Sequence, residues 1–360
     1  HLDKSFGNTK NEIRNDGIKI HGEVKIKKYS NTKQFTANSI GDCINKLSPI
    51  LKRISPDIFL VYADRYEGFA ATICSTQMNI PTAHVEGGDI TEGGALDDSV
   101  RHAMTKLAHI HFTTNKSATN RILKMGEENW RVKTVGFPAI DLVSNKNYAS
   151  IGELKNKFKL DLDKPIILFT QHSITTEYEK SRKQLIVSLN AITDLAKRDF
   201  QIILTYPNND VGGDIIKNEI KKLNKRKISN VQIHKSLGRY NYHGILALSK
   251  LKNTRIVCAG NSSSGIKETP YFGCPTVNVG TRQDGRLRGS NVIDVNYNKR
   301  EIIDAINNCI YNKKFIKKCK LTKNPYGGGK SGKMIAEHLS NISLNKEKIL
   351  RKKMTIKNIN

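Results

Sequence analysis

Long apolar runs, paired cysteines and a nucleotide-binding lysine motif are all missing from this chain of 360 residues. No stretch approaches the ~18 consecutive apolar residues of a membrane helix, and no secretory signal is visible at the start. The six cysteines form no Cys-x-x-Cys pair, which is typical of reduced, buried thiols and argues against a structural zinc site. We therefore expect a cytoplasmic, globular protein with no membrane span and no metal.

The formal net charge of +27 is high. Such a charge is compatible with a nucleic-acid or anionic-membrane partner. The lysines are dispersed, however, and no basic motif is interleaved with aromatic residues as in single-strand-binding proteins. We therefore expect no nucleic-acid function, because an anionic small substrate such as a nucleotide fits a basic protein equally well.

Charged side chains and glycines are concentrated in residues 84–102. Five carboxylates, three imidazole or guanidinium groups and four glycines fall within these nineteen residues. An apolar, strand-like run precedes them and a helical pattern follows, and this succession builds sites at the carboxyl ends of parallel strands. The simpler alternative is a polar loop with an acidic helix start, which the helix dipole favours by itself.

Strand-like and helix-like segments alternate, which predicts parallel sheets joined by crossover helices. Predicted strands are 22–26, 57–62, the run before residue 86, 110–114, 132–135, 166–170, 200–206, 230–234, 255–259 and 276–279. Predicted helices are 8–16, 36–54, 69–78, 116–125, 179–196 and 240–249. Pro49 is expected to kink or split the second of these helices.

A lysine- and asparagine-rich segment at 144–159 divides the chain into two α/β halves of similar size. We predict a first domain at 1–150 that contains the acidic cluster, a second domain at 151–340 and a basic tail at 341–360. Ligand sites are expected in a cleft between the domains, at strand ends.

The second half contains its own polar, glycine-rich stretches. In the serine-rich loop at 260–265, small residues let backbone N–H groups approach an anion, although an ordinary serine-rich helix cap is an equal alternative. Glu268 would lie inside the following helix, within reach of a ribose. Three arginines follow in the loop at 280–289, and arginine forks suit phosphate oxygens.

Six motifs in this order resemble those of the hydrolysing UDP-N-acetylglucosamine 2-epimerases of sialic and legionaminic acid biosynthesis. The motifs are Asp64-Arg65-x-Glu67, His84-Val85-Glu86-Gly87-Gly88-Asp89, Asp97-Asp98-Ser99-Val100-Arg101-His102, Gln171-His172-x-x-Thr175-Thr176-Glu177, Gly260-Asn261-Ser262-Ser263-Ser264-Gly265 and Gly280-Thr281-Arg282-Gln283-x-Gly285-Arg286. The resemblance covers about residues 1–340. Non-hydrolysing relatives continue differently after the His-x-Glu, so the hydrolysing branch is favoured.

The resemblance implies an α/β fold with two Rossmann-like, doubly wound domains that face a cleft, as in GT-B glycosyltransferases. It implies that UDP leaves the sugar with loss of the C2 proton, and that water then adds to the glycal intermediate. It implies a UDP-sugar substrate, no metal or nicotinamide cofactor, and a homo-oligomer, either a dimer or a tetramer. The sugar remains open between N-acetylglucosamine and a 2,4-diacetamido-6-deoxy sugar.

Proton transfer at C2 needs a carboxylate or imidazole at a tuned pKa. The catalytic candidates are Asp64, Glu86, Asp97, Asp98 and His172. The substrate-binding candidates are Arg65, Arg101, His102, Asn208, Ser262, Ser263, Glu268 and Arg282. Helical spacing predicts that Asp97 lies beside Arg101 and that Asp98 lies beside His102. Helix caps at the three aspartates and a structural role for His172 are the alternatives.

The chain departs from the family pattern at its beginning, because it starts after the strand and the Gly-Thr-Arg-like loop with which the family opens. We therefore expect a first sheet without its central strand, and low stability or no activity for residues 1–360 alone. Ala63 stands where the family usually has glycine. Competing hypotheses are a GT-B glycosyltransferase, a non-hydrolysing UDP-N-acetylglucosamine 2-epimerase and a nucleotide-sugar-binding protein without catalysis.

Overall fold

A computed structural model describes residues 1–2, 8–26, 33–91, 96–208, 210–343 and 345–356. The chain forms two compact units. Among the described residues, the first unit holds those within 20–91, 96–141 and 326–356, and the second holds those within 1–19 and 142–325. The division predicted from sequence followed chain order, with boundaries at 150 and 340. In the structure, residues 8–19 belong to the unit that holds 142–325, and residues 326–343 and 345–356 belong to the unit that holds residues from 20 to 141.

All ten strands of the described residues are short. They are β1 Phe59–Tyr62, β2 Thr82–Val85, β3 Ile110–Thr113, β4 Val132–Thr134, β5 Ile166–Thr170, β6 Gln201–Thr205, β7 Val231–His234, β8 Ile256–Gly260, β9 Thr276–Val279 and β10 Val292–Val295. The helices are α1 Lys10–Asn15, α2 Lys33–Ile54, α3 Tyr66–Gln77, α4 Asp97–Leu107, α5 Lys116–Lys124, α6 Ala139–Ser144, α7 Ile151–Phe158, α8 Ser181–Ala196, α9 Gly213–Lys225, α10 Gly238–Ala247, α11 Ser264–Lys267, α12 Thr269–Phe272, α13 Lys299–Tyr311, α14 Lys313–Lys320, α15 Ser331–Asn341 and α16 Lys346–Leu350.

The sheet of the first unit has four parallel strands in the order β1-β2-β3-β4. Every residue of β2 and β3 is buried, as expected for parallel strands covered on both faces. Because these strands follow chain order, the winding of the described sheet does not reverse. Residues 22–26, predicted as a strand, contain none.

The sheet of the second unit has six parallel strands in the order β10-β9-β8-β5-β6-β7. Its winding reverses at β5, which pairs with β6 on one side and β8 on the other. In open α/β sheets, ligands bind outside the carboxyl ends of the strands at this reversal. The loops that follow β5 and β8 are therefore the expected place for a ligand in this unit.

Pro49 lies within α2 and does not split it. Proline removes one backbone hydrogen bond from a helix and costs roughly 3 kcal/mol there. The side chains around it offset this cost, because Leu51 is buried and packs with Cys74 of α3 and Ile80. Of the two outcomes predicted at Pro49, a kink or a split, the split does not occur, because packing of the surrounding side chains outweighs the local cost of proline.

Candidate active site

The loop after β1 carries Asp64. The preceding residue, Ala63, has a φ of 63°, a left-handed conformation that costs a residue with a Cβ about 1 kcal/mol. The carbonyl oxygen of Ala63 lies 2.8 Å from Nε2 of His84 in β2. Burial lowers the pKa of His84 to about 4, so the ring is neutral, and Nε2 carries its proton because a carbonyl only accepts. His84 thereby holds the backbone next to Asp64.

Glu86 follows β2 directly and also has a positive φ, of 70°. Its backbone N–H donates to the Phe112 carbonyl of β3 at 2.9 Å, and the Tyr62 hydroxyl at the end of β1 donates to its carboxylate. Two residues later, a Cβ on Gly88 would lie 2.4 Å from the Ala118 carbonyl oxygen. Close packing on α5 therefore requires this glycine.

Arg101 of α4 joins three parts of the first unit. Its side chain is only 2% exposed and forms ion pairs with Asp64 and Asp98, the latter at 2.6 Å between Nη1 and Oδ1. The same Nη1 donates to the Asp89 carbonyl at 2.8 Å. A buried guanidinium needs such partners to offset its lost hydration. Arg101 thus fixes Asp64, after β1, relative to the start of α4.

Asp98 also accepts hydrogen bonds from the loop before α4. The Thr91 N–H lies 2.9 and 2.8 Å from the two carboxylate oxygens, and the Thr91 hydroxyl donates to Oδ1 at 2.6 Å. The residue at the N-cap of α4 is Leu96, and its side chain makes no capping bond. Asp98 therefore ties the loop to the helix, and the helix-cap interpretation of this residue was wrong.

The helix-cap interpretation of Asp64 was also wrong, because α3 has Arg65 at its N-cap and no side-chain capping bond. Arg65 lies with its Nε 3.2 Å from a Glu67 carboxylate oxygen. Asp97 is the first residue of α4. His102 is half-buried, and burial followed by the charge of Arg101 lowers its pKa. The structure thus brings Asp64, Asp98 and Arg101 into contact.

His172 follows β5 at the reversal of the second sheet. Its backbone N–H donates to Oδ1 of Asn261 at 2.7 Å, and Nδ2 of Asn261 donates to the His172 carbonyl at 2.9 Å. Nδ1 of His172 accepts the backbone N–H of Asn208 at 3.0 Å. In the neutral ring, Nε2 must then carry the proton. His172 is therefore presented as a hydrogen-bond donor rather than as a base.

The serine-rich loop follows β8. Gly260 has a φ of 116°, and a Cβ there would lie 1.9 Å from the Thr170 carbonyl oxygen, so only glycine fits. Within the described part of the chain, no acceptor meets the backbone N–H groups of Ser262 and Ser263. Such free amides are suited to an anion. The single helix predicted after this loop is instead two short helices, α11 and α12, that meet at Glu268.

Both carboxylate oxygens of Glu268 have partners. Oε2 lies 2.8 Å from Nε2 of His243, and Oε1 accepts from the Ser264 hydroxyl at 3.0 Å. A carboxylate has about four lone-pair sites, so further hydroxyl donors such as those of a ribose can still bind. His243 and Ser264 therefore orient the Glu268 carboxylate and leave lone pairs on its oxygens for further donors.

Arg282 and Gln283 both donate to the Asn261 carbonyl, at 3.2 and 2.8 Å. Arg282 also lies 3.8 Å from an Asp210 carboxylate oxygen. Asn208 contributes its backbone N–H to His172, while its buried Oδ1 meets no hydrogen-bond donor among the described residues. The loop that carries Arg282 is thus fastened to the loops at the sheet reversal.

Several residues of these networks were not predicted as site residues, among them Tyr62, His84, Thr91, His243, Asn261, Ser264 and Gln283. All of these except Tyr62 and His243 lie inside the quoted motifs or the charged stretch at 84–102, so the sequence contained a signal for them. Tyr62 and His243 had none, because their roles depend on which distant side chain they meet.

The described residues contain neither a candidate metal site nor a helix that could span a membrane. Among the described residues, no group of three or more His, Cys, Asp and Glu side chains is placed to hold a metal. Across the same residues, no helix is long and apolar enough to cross a membrane.

The chain is similar to known sugar-nucleotide epimerases. A family model described as UDP-N-acetylglucosamine 2-epimerase matches residues 1–340. The UDP-N,N'-diacetylbacillosamine 2-epimerase (hydrolyzing) of Legionella pneumophila is 33% identical over 349 residues, which cover 96% of this chain and 87% of that protein. The GDP/UDP-N,N'-diacetylbacillosamine 2-epimerase (hydrolyzing) of Campylobacter jejuni is 32% identical over 298 residues, or 83% and 75% of the two chains.

The fold is also that of a solved 2-epimerase. The crystal structure of UDP-GlcNAc 2-epimerase from Neisseria meningitidis bound to UDP-GlcNAc matches with a TM-score of 0.74 at 21% identity, covering 92% of this chain and 88% of that one. The prediction of an α/β fold with two parallel sheets is therefore confirmed.

Proposed function

The chain belongs to the UDP-N-acetylglucosamine 2-epimerase family, and we propose that it is a hydrolysing 2-epimerase acting on a UDP-linked N-acetylated hexosamine. The observation that carries this proposal is the contact of Asp64 and Asp98 with one buried guanidinium, Arg101. Carboxylates oriented in this way are the groups that proton transfer at a sugar carbon requires. The products are UDP and the free 2-epimeric sugar.

In the first step, the C2–H bond and the bond from C1 to the diphosphate oxygen break, and a C1–C2 double bond forms. The proton passes to a carboxylate of the first unit, for which Asp64, Glu86, Asp97 and Asp98 are the candidates. Arg101 orients two of them, and the Tyr62 hydroxyl orients Glu86. In the second step, water adds its oxygen to C1 and C2 receives a proton on the opposite face.

The departing UDP needs groups that stabilise its developing negative charge. We propose as these groups the amides of Ser262 and Ser263, the guanidinium of Arg282 and the Nε2–H of His172. We assign Nε2–H to the departing oxygen because Nδ1 already accepts from Asn208. Glu268 is proposed to accept hydrogen bonds from the ribose hydroxyls.

Arg65, His102 and Asn208 are proposed to contact the substrate as well. Asn208 presents a buried amide oxygen without a donor among the described residues, which suits a donor of the nucleotide. Arg65 and His102 lie next to Asp64 and Arg101 in sequence, and we propose that they contact the sugar.

We propose a UDP-2,4-diacetamido-6-deoxy sugar as the preferred substrate. Two relatives at 32% and 33% identity are named for the N,N'-diacetylbacillosamine compound. UDP-N-acetylglucosamine is the alternative, and the product would enter a sialic- or legionaminic-type pathway.

A cytoplasmic location is supported by six free, buried cysteines, because unpaired thiols persist in reducing compartments. A dimer or tetramer is proposed from the family resemblance and is tested by light scattering.

The deciding experiment is NMR of the chain, preceded by the strand and the Gly-Thr-Arg-like loop with which the family opens, with each UDP-sugar in deuterated water. Free UDP together with a 2-epimeric sugar that carries deuterium at C2 is the expected result. A UDP-sugar recovered as its 2-epimer would favour a non-hydrolysing epimerase, and UDP formed only with an added acceptor would favour a glycosyltransferase. Asp98→Asn should abolish deuterium incorporation, whereas Glu337→Gln on an exposed face of α15 should not.

A further inference from the structure

The C-terminal segment 346–356, which we call the strap, packs on the first unit although it lies beyond residues 1–340 of the family match. The sequence predicted only a basic tail here. In the structure, the strap begins with α16 and continues without regular secondary structure. Ile349 of α16 is buried in the core beside Val85 of β2 and Phe112 of β3. The strap is thus part of the folded unit.

A buried arginine fastens the strap. The Arg131 side chain is fully buried, and its guanidinium donates to the carbonyls of Ile349 at 2.7 Å and Arg351 at 3.0 Å. Farther along, the Thr355 N–H donates to the Gly126 carbonyl at 2.9 Å. These bonds hold both sides of Lys352 in place.

Lys352 reaches the C-terminal end of α4. Its ammonium donates to the carbonyls of Lys106 at 2.8 Å and Ala108 at 2.7 Å. The last carbonyls of a helix lack partners within the helix, and a cation there also interacts favourably with the helix dipole. The ammonium lies 2.8 Å from the buried Glu127 carboxylate as well. With its side chain only 18% exposed, Lys352 is not available as part of a solvated polybasic tail.

We propose that the strap holds the end of α4, and that Lys352 is a positioning residue for Asp98 and Arg101 at the start of the same helix. An eleven-residue helix is about 16 Å long and transmits a displacement of one end to the other. A shift of roughly 1 Å in a reacting group can lower a rate by about 100-fold. The catalytic part of this inference rests on the proposed function, whereas the mechanical part does not.

The test compares Lys352→Met with Lys353→Met, which alters the neighbouring exposed lysine. Amide hydrogen exchange of α4 and the rate of UDP release are measured in the chain extended as for the NMR experiment. Lys352→Met should speed exchange in the last turn of α4 and lower kcat, each by about tenfold or more, with KM changed less than about threefold. Lys352→Arg, which keeps the cation and its donors, should restore much of both, and Lys353→Met should resemble the unaltered chain.

Unchanged amide hydrogen exchange in α4 of the Lys352→Met variant would overturn the proposal that the strap holds the end of this helix. Faster exchange with unchanged kcat would overturn the positioning role. If Lys352→Met does not fold, Lys352→Gln, which keeps one donor group, is measured in its place with the same criteria. Absence of turnover in every variant, including the unaltered chain, would contradict both the proposed function and the positioning role. Amide hydrogen exchange would in that case still test whether the strap holds the end of α4.

Discussion

Arg101 and Asp98 form an ion pair of 2.6 Å inside α4, and the same guanidinium pairs with Asp64 from the loop after β1. Replacement of Arg101 by Met should leave two carboxylates beside each other without their shared cation. Because breaking a buried pair typically costs about 3–5 kcal/mol, we expect a loss of that order in the free energy of unfolding in urea, and turnover reduced by at least about 100-fold.

The matched control is Arg300→Met. Arg300 is 92% exposed and pairs with Asp304 at 3.7 Å, and such surface pairs contribute about 0–1 kcal/mol. Equal stability losses for the two variants would contradict the role of Arg101 as the buried connection.

The two nitrogens of His172 can be separated by two substitutions. Asn places an amide oxygen near the position of Nδ1, where it can still accept from the Asn208 N–H, but it lacks the Nε2–H. We expect His172→Asn to keep its fold and its affinity for UDP while turnover falls by about 10²–10⁴. Gln places an N–H group near Nε2, so His172→Gln should retain more turnover. Full activity in the Asn variant would refute the donor role.

Replacement of Ala63 by glycine should stabilise the folded protein. At a φ of 63°, glycine removes the Cβ that makes a left-handed backbone costly, so Ala63→Gly should raise the free energy of unfolding by up to about 1 kcal/mol. Ala108→Gly, at a φ of −69°, should lower it because there glycine adds freedom to the unfolded chain and removes a buried methyl group. Urea denaturation of both variants tests the contrast, and the same sign for both would contradict the explanation.

Gly260 and Gly152 should respond oppositely to alanine. A Cβ on Gly260 would lie 1.9 Å from a backbone oxygen, whereas one on Gly152 in α7 meets nothing within 4 Å. Gly260→Ala should therefore lower the melting temperature and weaken UDP binding in calorimetry. Gly152→Ala should leave UDP binding unchanged and stabilise the chain by roughly 0.5–1 kcal/mol. Normal UDP binding by Gly260→Ala would argue against a diphosphate site in this loop.

Stability should fall between pH 6.5 and pH 4 because of two buried histidines. Burial lowers the pKa of His84 and of His109 to about 4, while both titrate near 6.5 when unfolded. Below pH 6.5 the unfolded chain therefore binds protons that the folded chain does not, so stability present above pH 6.5 is lost as the pH falls towards 4. Each histidine contributes about 3 kcal/mol over this range.

Urea denaturation across this range should show the decline. His84→Gln and His109→Gln should each reduce the slope of the unfolding free energy against pH by the amount that corresponds to about one bound proton. The double variant should reduce it by the amount for about two. A slope that stays unchanged in the double variant would contradict the assignment.

The sequence by itself indicated nine of the ten strands of the described residues, and it contained the motifs. The apolar runs at 166–170 and 276–279 became β5 and β9 as predicted, because a parallel strand buried on both faces must be apolar throughout. Helices α9 and α13 were not predicted, since their segments lie among lysines and asparagines whose pattern was not assigned. The resemblance located the charged loops because their residues are contiguous in the chain.

Only the tertiary structure decided which of these residues meet. Spacing along a helix predicted that Asp97 lies beside Arg101, but the contact of Arg101 with Asp64 depends on where the loop after β1 lies against α4. Nothing near Lys352 in the sequence indicates that it binds the end of α4, more than 200 residues earlier. Local pattern specifies an element and its buried face, whereas contacts between distant residues depend on strand register, backbone geometry at residues such as Ala63, and the packing of one element on another.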